Sequence, residues 1–241
     1  MRSRIRHFTS DFSWLLRSIP SPVVSFLVLS VVLMNLLANK TIYQRGILAL
    51  DGGFFVSWLC FLCMDIIAKH FGARAATQAS LFALMVNLLA VGVFALVSAI
   101  PTDTDYSAFN SIFGGSWFIV LSSSLAFFFS AVVNNTLNAA VGLLFRANPH
   151  GRAAYYTRSY ISTFIGQFVD NMLFASLVFM LFAPIYWDGF HWTLPQCITC
   201  SLIGAFFELI MEVVFSPVGY RVTRRWRRLE VGSAYLEAHK A

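Results

Sequence analysis

Residues Ser159–Phe174 read S-Y-I-S-T-F-I-G-Q-F-V-D-N-M-L-F, and the rest of the chain is arranged around this stretch. It lies inside a long apolar segment but carries Thr163, Gly166, Gln167 and Asp170, which advance by three, one and three residues. On a helix this spacing places the four residues on one stripe. A carboxylate in the centre of a membrane costs about 2.5–3.5 kcal/mol on insertion scales. We therefore interpret Asp170 as a functional residue.

The composition predicts an integral membrane protein with one membrane domain. Hydrophobic residues make up 58% of the chain and charged residues 12%, whereas globular proteins carry about 25% charged residues. The mean hydropathy is +0.71. The sequence lacks G-x-S-x-G, H-E-x-x-H and a phosphate-binding glycine-rich loop, and its histidines fall in predicted tails and loops. We therefore expect no enzyme activity and no cofactor.

Six apolar segments predict an all-α fold of six transmembrane helices. They run over about 20–38, 47–68, 77–100, 116–145, 155–183 and 194–219. With the N-terminus inside the cell, fifteen of the seventeen basic residues lie on the inner side, and only Lys40 and Arg45 lie outside. This asymmetry follows the positive-inside rule and predicts that both termini are cytoplasmic.

The two ends of the chain flank the predicted six-helix domain, which covers residues 20–220. Residues 1–19 alternate basic and apolar side chains, which is typical of an amphipathic segment on the inner membrane surface, although a frayed tail is equally compatible. Residues 221–241 begin with the basic run R-V-T-R-R-W-R-R. Anionic lipid beside a membrane span explains this run without nucleic acid, so we expect lipid and not nucleic acid as its partner.

Polar residues of other predicted spans reach the depth of Asp170. Glu208 in the sixth span and Asn134 in the fourth are expected at about this level, and Glu212 lies one turn nearer the inner surface, which its side chain could reach. With no basic residue at this depth, the carboxyl groups should be partly protonated, or should face water or a cationic or donor-rich ligand. Asp65 ends the second span and is expected to form an ion pair with Lys69 or Arg74.

Two C-x-x-C pairs raise the possibility of a zinc site, which we reject. Their members are Cys60 with Cys63 and Cys197 with Cys200. The first pair falls in the inner half of its span and the second near the outer end of another. At about 1.5 Å per residue their depths differ by more than about 10 Å, so the cysteines are interpreted as small buried apolar residues and no metal is expected.

Two motifs resemble those of the queuosine precursor transporter family, whose members are also called vitamin-uptake-transporter-like proteins. The first is Gly53 followed by apolar residues to Asp65-Ile66-Ile67, then Phe71-Gly72-Ala73-Arg74. The second is Ser162-Thr163-x-Ile165-Gly166-Gln167-x-x-Asp170-x-x-x-Phe174. The run Ala38-Asn39-Lys40 and the pair Pro217 and Tyr220 are similar to further parts of the family pattern.

The resemblance implies a bacterial inner-membrane protein that takes up deazaguanine bases, the precursors of queuosine. It also implies a six-helix bundle similar to the substrate-binding subunits of energy-coupling-factor vitamin importers, for which an ATPase module is a possible partner. The family positions carried over to this chain are Asn39, Asp65, Gln167 and Asp170. A carboxylate would pair with the N–H donors of such a base, and an amide would read its neighbouring carbonyl group.

The chain departs from the family pattern at several positions. Ser57-Trp58 stands where the family has Phe-Pro, and Lys69 replaces a glutamate. The Asn134-Asn135 region replaces a Gln-x-x-Asp motif, and Glu208 stands where the family has a lysine. The change at Glu208 reverses the sign of a charge within the membrane. A ligand or coupled ion that differs from that of the family is therefore compatible with the sequence.

The main hypothesis is therefore an uptake transporter, or its substrate-binding subunit, for a flat nitrogen-rich solute. We expect Glu208 to complete the cavity or relay a proton and Asn39 to line the outer entrance. The complete predicted substrate site is Asp170, Gln167, Asn39, Asn134, Glu208, Asp65 and Thr163. The alternatives are a non-transporting scaffold, whose polar residues would join helices, and a vitamin-binding importer subunit with another ligand.

Overall fold

The structure is a computed structural model that describes residues 11–37, 40–45, 48–113, 117–186 and 191–239. The first half of the chain contains α1 Asp11–Ser18, α2 Ser21–Leu37, β1 Thr41–Arg45, β2 Leu48–Asp51, α3 Phe54–Phe71 and α4 Ala73–Ser98. The second half contains α5 Ser107–Phe113, α6 Trp117–Gly142, α7 Arg152–Ala175, α8 Ala183–Tyr186, α9 Leu194–Arg228 and α10 Ser233–Ala238. A short 3₁₀ turn, Leu143–Phe145, follows α6, and a π-helical segment, Ser176–Phe182, joins α7 to α8.

The helical fold agrees with the sequence, but the number of spans stays a prediction. Among the described residues, four helices are long and apolar enough to cross a membrane: 73–98, 118–145, 152–185 and 194–228. A fifth span results if α1 and α2, which meet at an angle of 104°, are counted as one broken span. The six-span count and the orientation of the termini are therefore not established by these helices.

A β-hairpin occupies the segment where the sequence predicts the start of the second span. β1 pairs antiparallel with β2, and α3 begins only at Phe54, seven residues after the predicted start at Ile47. Thr41, Ile42 and Tyr43 are β-branched or aromatic residues that favour strands. A Cβ atom on Gly52 would lie 2.7 Å from the carbonyl oxygen of Leu37, so this glycine lets the hairpin return to the end of α2.

The distribution of polar and apolar side chains is that of a membrane protein. Leu89 and Leu96 of α4 are 68% and 72% exposed, and Phe206 of α9 is 61% exposed. In contrast, Gln167 and Glu208 are buried. Soluble proteins seldom bury glutamate while exposing a belt of large apolar side chains, and lipid provides the solvent that such a belt requires.

The buried polar residues, among them Gln167 and Glu208, form what we call the polar centre. Four helices, α3, α6, α7 and α9, enclose it. α7 packs along both α6 and α9, while α3 packs against α2, α6 and α9. The main apolar core lies on α3, where Phe61, Met64 and Ile67 are completely buried. Residues that face this centre from different helices are therefore held by packing on at least two sides.

The C-terminal part of the chain is helical, and its role as a basic cytoplasmic tail stays a prediction. α9 does not end near Gly219 but continues to Arg228, because arginine favours helices and no helix breaker follows until Gly232. α10 then folds back onto α1, where His239 Nε2 lies 2.7 Å from Asp11 Oδ1 and Trp14 packs edge-on against Tyr235. α1 and α10 thus pack against each other, and the part of the predicted segment 1–19 before Asp11 lies outside the described residues.

Close approach of α6 and α7 at Gly166 gives the first prediction. A Cβ atom there would lie 2.9 Å from both Asn134 Cβ and Phe61 Cε1, neither of which is the end of a flexible chain. Gly166→Ala should lower stability by roughly 1–3 kcal/mol through overpacking. The measurement is thermal unfolding in detergent, followed by size-exclusion chromatography.

Gly92→Ala is the matched control, because a Cβ atom on this α4 glycine meets nothing within 4 Å. The control should be at least as stable as the native protein, since alanine favours helix more than glycine does. Equal stability of Gly166→Ala and the native protein would contradict the close helix contact.

Candidate functional site

Three of the predicted site residues form the middle of the polar centre, which we call the amide layer. Thr163 and Gln167 of α7 and Asn134 of α6 are 0% exposed. Both amide atoms of Gln167, both of Asn134 and the Thr163 hydroxyl have no hydrogen-bond partner in the described part of the chain. A buried polar group without a partner costs about 1–3 kcal/mol, so five such atoms in one place require an explanation.

The three side chains lie close together because Gly166 has no side chain and lets α7 approach α6. This glycine lies between Thr163 and Gln167 on the same face of α7, and it touches Asn134 through the close approach described above. The ring of Phe61 from α3 reaches the same point. The amide layer therefore combines two amides and a hydroxyl with a buried aromatic ring.

One turn away from the amide layer lies the carboxyl layer, which holds the half-buried Asp170 and the buried Glu208. Ser130 Oγ donates a hydrogen bond to Asp170 Oδ1 at 2.9 Å. Ser57 Oγ donates to Glu208 Oε1, and Asn171 Nδ2 donates to Glu208 Oε2 at 3.3 Å. Because Asn171 directly follows Asp170, the two carboxyl groups lie at the same level, on α7 and α9.

The ion-pair layer lies on the other side of the amide layer and is centred on Asp65. Lys69 Nζ donates to Asp65 Oδ2 at 2.8 Å, so the ion pair expected from the sequence is present. Asn138 Nδ2 donates to Asp65 Oδ1 at 2.6 Å, and Ser159 Oγ contacts Asp65 Oδ2. Glu212 joins this layer through Ser159 and is 0% exposed, so its side chain does not reach the membrane surface as the sequence suggested.

Helical spacing explains the three layers. Ser57, Phe61 and Asp65 repeat every four residues on α3, and Ser130, Asn134 and Asn138 do so on α6. Each repeat rises by about 6 Å along a helix, which moves one residue into each successive layer. The long side chains of Glu208 and Glu212 reach the two outer layers from neighbouring turns of α9.

The predicted site residues lie in different layers of the structure. It brings Thr163, Gln167 and Asn134 together, places Asp170 and Glu208 in the next layer, and places Asp65 in the third, while Asn39 lies outside the described residues. Trp58, which follows Ser57, stacks on Phe215, with 4.2 Å between ring centroids.

Sequence reasoning missed several residues of the site. They are Ser57, Phe61 and Asn171. Ser57 could have been found, because it and Glu208 are both departures from the family pattern and they hydrogen-bond to each other. Phe61 also had a signal in the sequence, because it lies midway in the four-residue repeat between Ser57 and Asp65.

An apolar exterior around a buried polar centre defines a helical membrane protein with an internal site. A family model described as "putative vitamin uptake transporter" matches residues 51–222. No curated protein and no solved structure matches the chain. The match covers well over half of the sequence, so the chain belongs to this family of membrane uptake transporters, which is not a class of enzymes.

The buried ion pair gives the second prediction. Lys69→Met leaves Asp65 without its cation in a fully buried position, so the free energy of unfolding should fall by about 3–5 kcal/mol. The double variant Lys69→Met with Asp65→Asn should recover most of the lost free energy of unfolding, because it also removes the unpaired charge of Asp65. Both variants are compared with the native protein by thermal unfolding in detergent.

The pair Asp11 and His239 provides the control, because its side chains are 22% and 31% exposed. His239→Ala should change stability by only about 0–1 kcal/mol. If Lys69→Met were as mild as His239→Ala, the buried ion pair would not stabilise the fold as described.

Proposed function

We propose that the protein takes up a small, flat, nitrogen-rich solute and binds it at the amide layer. The supporting observation is the set of five buried polar atoms of Gln167, Asn134 and Thr163 that lack protein partners in the described residues. A bound solute with both donors and acceptors would satisfy these atoms. The family membership supports uptake as the activity.

The chemistry of the layer favours a heterocyclic base as the solute. Each amide offers two N–H donors and one carbonyl acceptor, so two amides can follow an edge on which donors and acceptors alternate. The aromatic ring of Phe61 reaches the same level, where its Cε1 atom lies against Gly166, and aromatic rings are suitable partners for a flat base. Asp170, one turn away on α7, would accept from ring or exocyclic N–H groups as a charge-assisted acceptor.

Among such bases, we propose a deazaguanine precursor of queuosine as the preferred solute. Its ring and exocyclic N–H donors suit Asp170, and its carbonyl group suits Gln167. The departures at Ser57 and Glu208 contact each other beside this site, so they would set which substituent of the base is accepted. We place the protein in a bacterial inner membrane, where it works alone or with an ATPase module.

A scaffold role has one specific observation in its favour. Asp170 on α7 accepts a hydrogen bond from Ser130 on α6, as a residue that only joins helices would. The same explanation does not extend to Gln167 and Asn134, because a residue that joins helices needs a hydrogen-bond partner. Co-purification with a membrane complex, together with absence of base binding, would favour the scaffold.

Gln167→Leu separates binding from stability and gives the third prediction. The variant should bind the base about tenfold more weakly, because one hydrogen bond worth about 1.4 kcal/mol is lost. Its stability without ligand should not fall, because leucine removes a buried amide that lacks a protein partner. Binding of radiolabelled deazaguanine base and thermal unfolding are measured on the same detergent-purified sample.

Asn87→Leu is the matched control, because Asn87 is a buried amide with a protein partner. Its Nδ2 donates to Ser124 Oγ at 3.0 Å between α4 and α6. This variant should lose stability and keep its affinity for the base, which is the reverse of Gln167→Leu. Equal affinity of Gln167→Leu and native protein would exclude the assigned role, and no binding by the native protein would exclude the proposed solute.

Asp170→Asn gives the fourth prediction. An amide keeps the size of the side chain but replaces one acceptor oxygen by a donor, so uptake of a base with several N–H donors should fall roughly ten- to hundredfold. Uptake of labelled base into cells is compared for native protein and variant at equal amounts in the membrane. Unchanged uptake would mean that Asp170 serves only to join α7 to α6.

A further inference from the structure

The ion-pair layer contains a carboxyl pair for which base binding gives no role. Glu212 is 0% exposed, and its Oε2 atom has no hydrogen-bond partner within the described ranges. Its Oε1 atom contacts Ser159 Oγ, and the same hydroxyl contacts Asp65 Oδ2. One serine hydroxyl on α7 therefore bridges carboxyl groups on α3 and α9.

The two contacts of this bridge require one additional proton, carried by a carboxyl group. A serine hydroxyl carries a single hydrogen, so it can donate to only one of the two carboxyl groups at a time. The other contact is favourable only if that carboxyl group is protonated and donates to Ser159 Oγ. Two ionised carboxylates would instead place a lone pair of the hydroxyl against an anionic oxygen.

The charged and titratable groups around the bridge agree with this proton count. From α3, Lys69 pairs with Asp65, and the Cys63 thiol faces Glu212. From α7, the Tyr155 ring lies 3.8 Å below Lys69 Nζ, and Arg158 Nε donates to the main-chain oxygen of Asn138. Lys69 forms an ion pair with Asp65 and Arg158 adds positive charge near Asp65, whereas Glu212 forms no ion pair among the described residues, so a neutral Glu212 avoids an unpaired buried negative charge.

We propose that Glu212, Ser159 and Asp65 form a proton-carrying site, which couples proton movement to uptake. In one state Glu212 O–H donates to Ser159 Oγ, and Ser159 O–H donates to Asp65 Oδ2. Movement of both protons along these bonds leaves Glu212 ionised and Asp65 protonated, with no atom or charge gained or lost. The coupling part rests on the proposed uptake function, whereas the proton site itself does not.

The contacts of Asp65 connect this site to the amide layer. Asp65 Oδ1 accepts from Asn138 Nδ2 at 2.6 Å and lies 3.5 Å from Ser162 Oγ. Asn138 lies one turn from Asn134 on α6, and Ser162 directly precedes Thr163 on α7. Neutralising Asp65 weakens its bonds to Lys69 and Asn138, which alters the positions of α6 and α7 next to the solute.

The proton site is tested by infrared difference spectroscopy of the purified full-length protein between acidic and alkaline buffer. The native protein should show the carbonyl stretching band of a protonated carboxyl group, and Glu212→Gln should lose it. Ser159→Ala should keep the band at a shifted frequency, because the bridging hydrogen bond is gone. Glu237→Gln on the exposed surface should match the native spectrum. A native band that survives in Glu212→Gln would overturn the site.

Coupling is tested in liposomes with labelled deazaguanine base. Exchange of base across the membrane without any gradient should be within about twofold for native protein and Glu212→Gln. An inward proton gradient should raise accumulation at least about fivefold for the native protein and not for Glu212→Gln. Equal stimulation of both, or stimulation of the native protein by a sodium gradient alone, would overturn proton coupling at this site.

These two experiments distinguish failure of the proposed solute from failure of the proton site or of its coupling to uptake. Absence of exchange by the native protein would exclude the proposed solute, while the infrared bands would still decide the proton site. If Glu212→Gln does not fold, Ser159→Ala is used with its own expected results, which are a shifted infrared band and loss of stimulation by the proton gradient. An unshifted band would then overturn the site. A native protein that exchanges base but shows no response to a proton gradient would contradict the coupling.

Discussion

The polar centre depends on one constraint: every polar group that a membrane helix buries must find a partner inside the bundle. Most polar groups of the ion-pair and carboxyl layers meet this constraint with bonds between helices, such as Asn138 to Asp65 and Ser130 to Asp170, and the exception among the described residues is Glu212 Oε2. The amide layer between them does not, since the side chains of Gln167, Asn134 and Thr163 find no partner among the described residues. In a bundle held on both sides by hydrogen bonds, the polar groups of the middle layer are therefore the ones that a ligand would satisfy.

Close packing at Gly166 makes this arrangement possible. Without a Cβ atom at that position, α7 approaches Asn134 and Phe61 closely enough to bring an amide, a hydroxyl and a ring to one level. Preorganised polar groups of this kind bind a solute with little loss of conformational entropy. The ion-pair layer below then provides a place where a change of charge can affect the helices that hold the solute.

Much of the site was accessible from the sequence because helical spacing determines which residues share a face. The steps between Thr163, Gly166, Gln167 and Asp170 indicated one buried stripe, and the four-residue repeat of Ser130, Asn134 and Asn138 indicated a second. The family was also correct at the level of membrane uptake transporters. Spacing cannot say which side chain across the bundle completes a hydrogen bond, so the partners of Ser57 and Ser159 were found only in the structure.

The ends of the helices and strands were less predictable from the sequence than the residues that share a helix face. Hydropathy does not distinguish an apolar strand from an apolar helix over a few residues, so the hairpin from Thr41 to Asp51 was read partly as the start of a span. Charge likewise suggested that the membrane helix ends before Arg221. Arginine is a good helix former, and α9 therefore continues beyond the apolar region to Arg228.

An experimental structure of the protein with a saturating deazaguanine base would test the central claim most directly. The account predicts density for the base between Gln167, Asn134 and Thr163, with its plane against Phe61 and its polar edge within hydrogen-bond distance of both amides. Amides of Gln167 and Asn134 that instead bond to each other or to other protein groups, with the base absent or bound elsewhere, would contradict it.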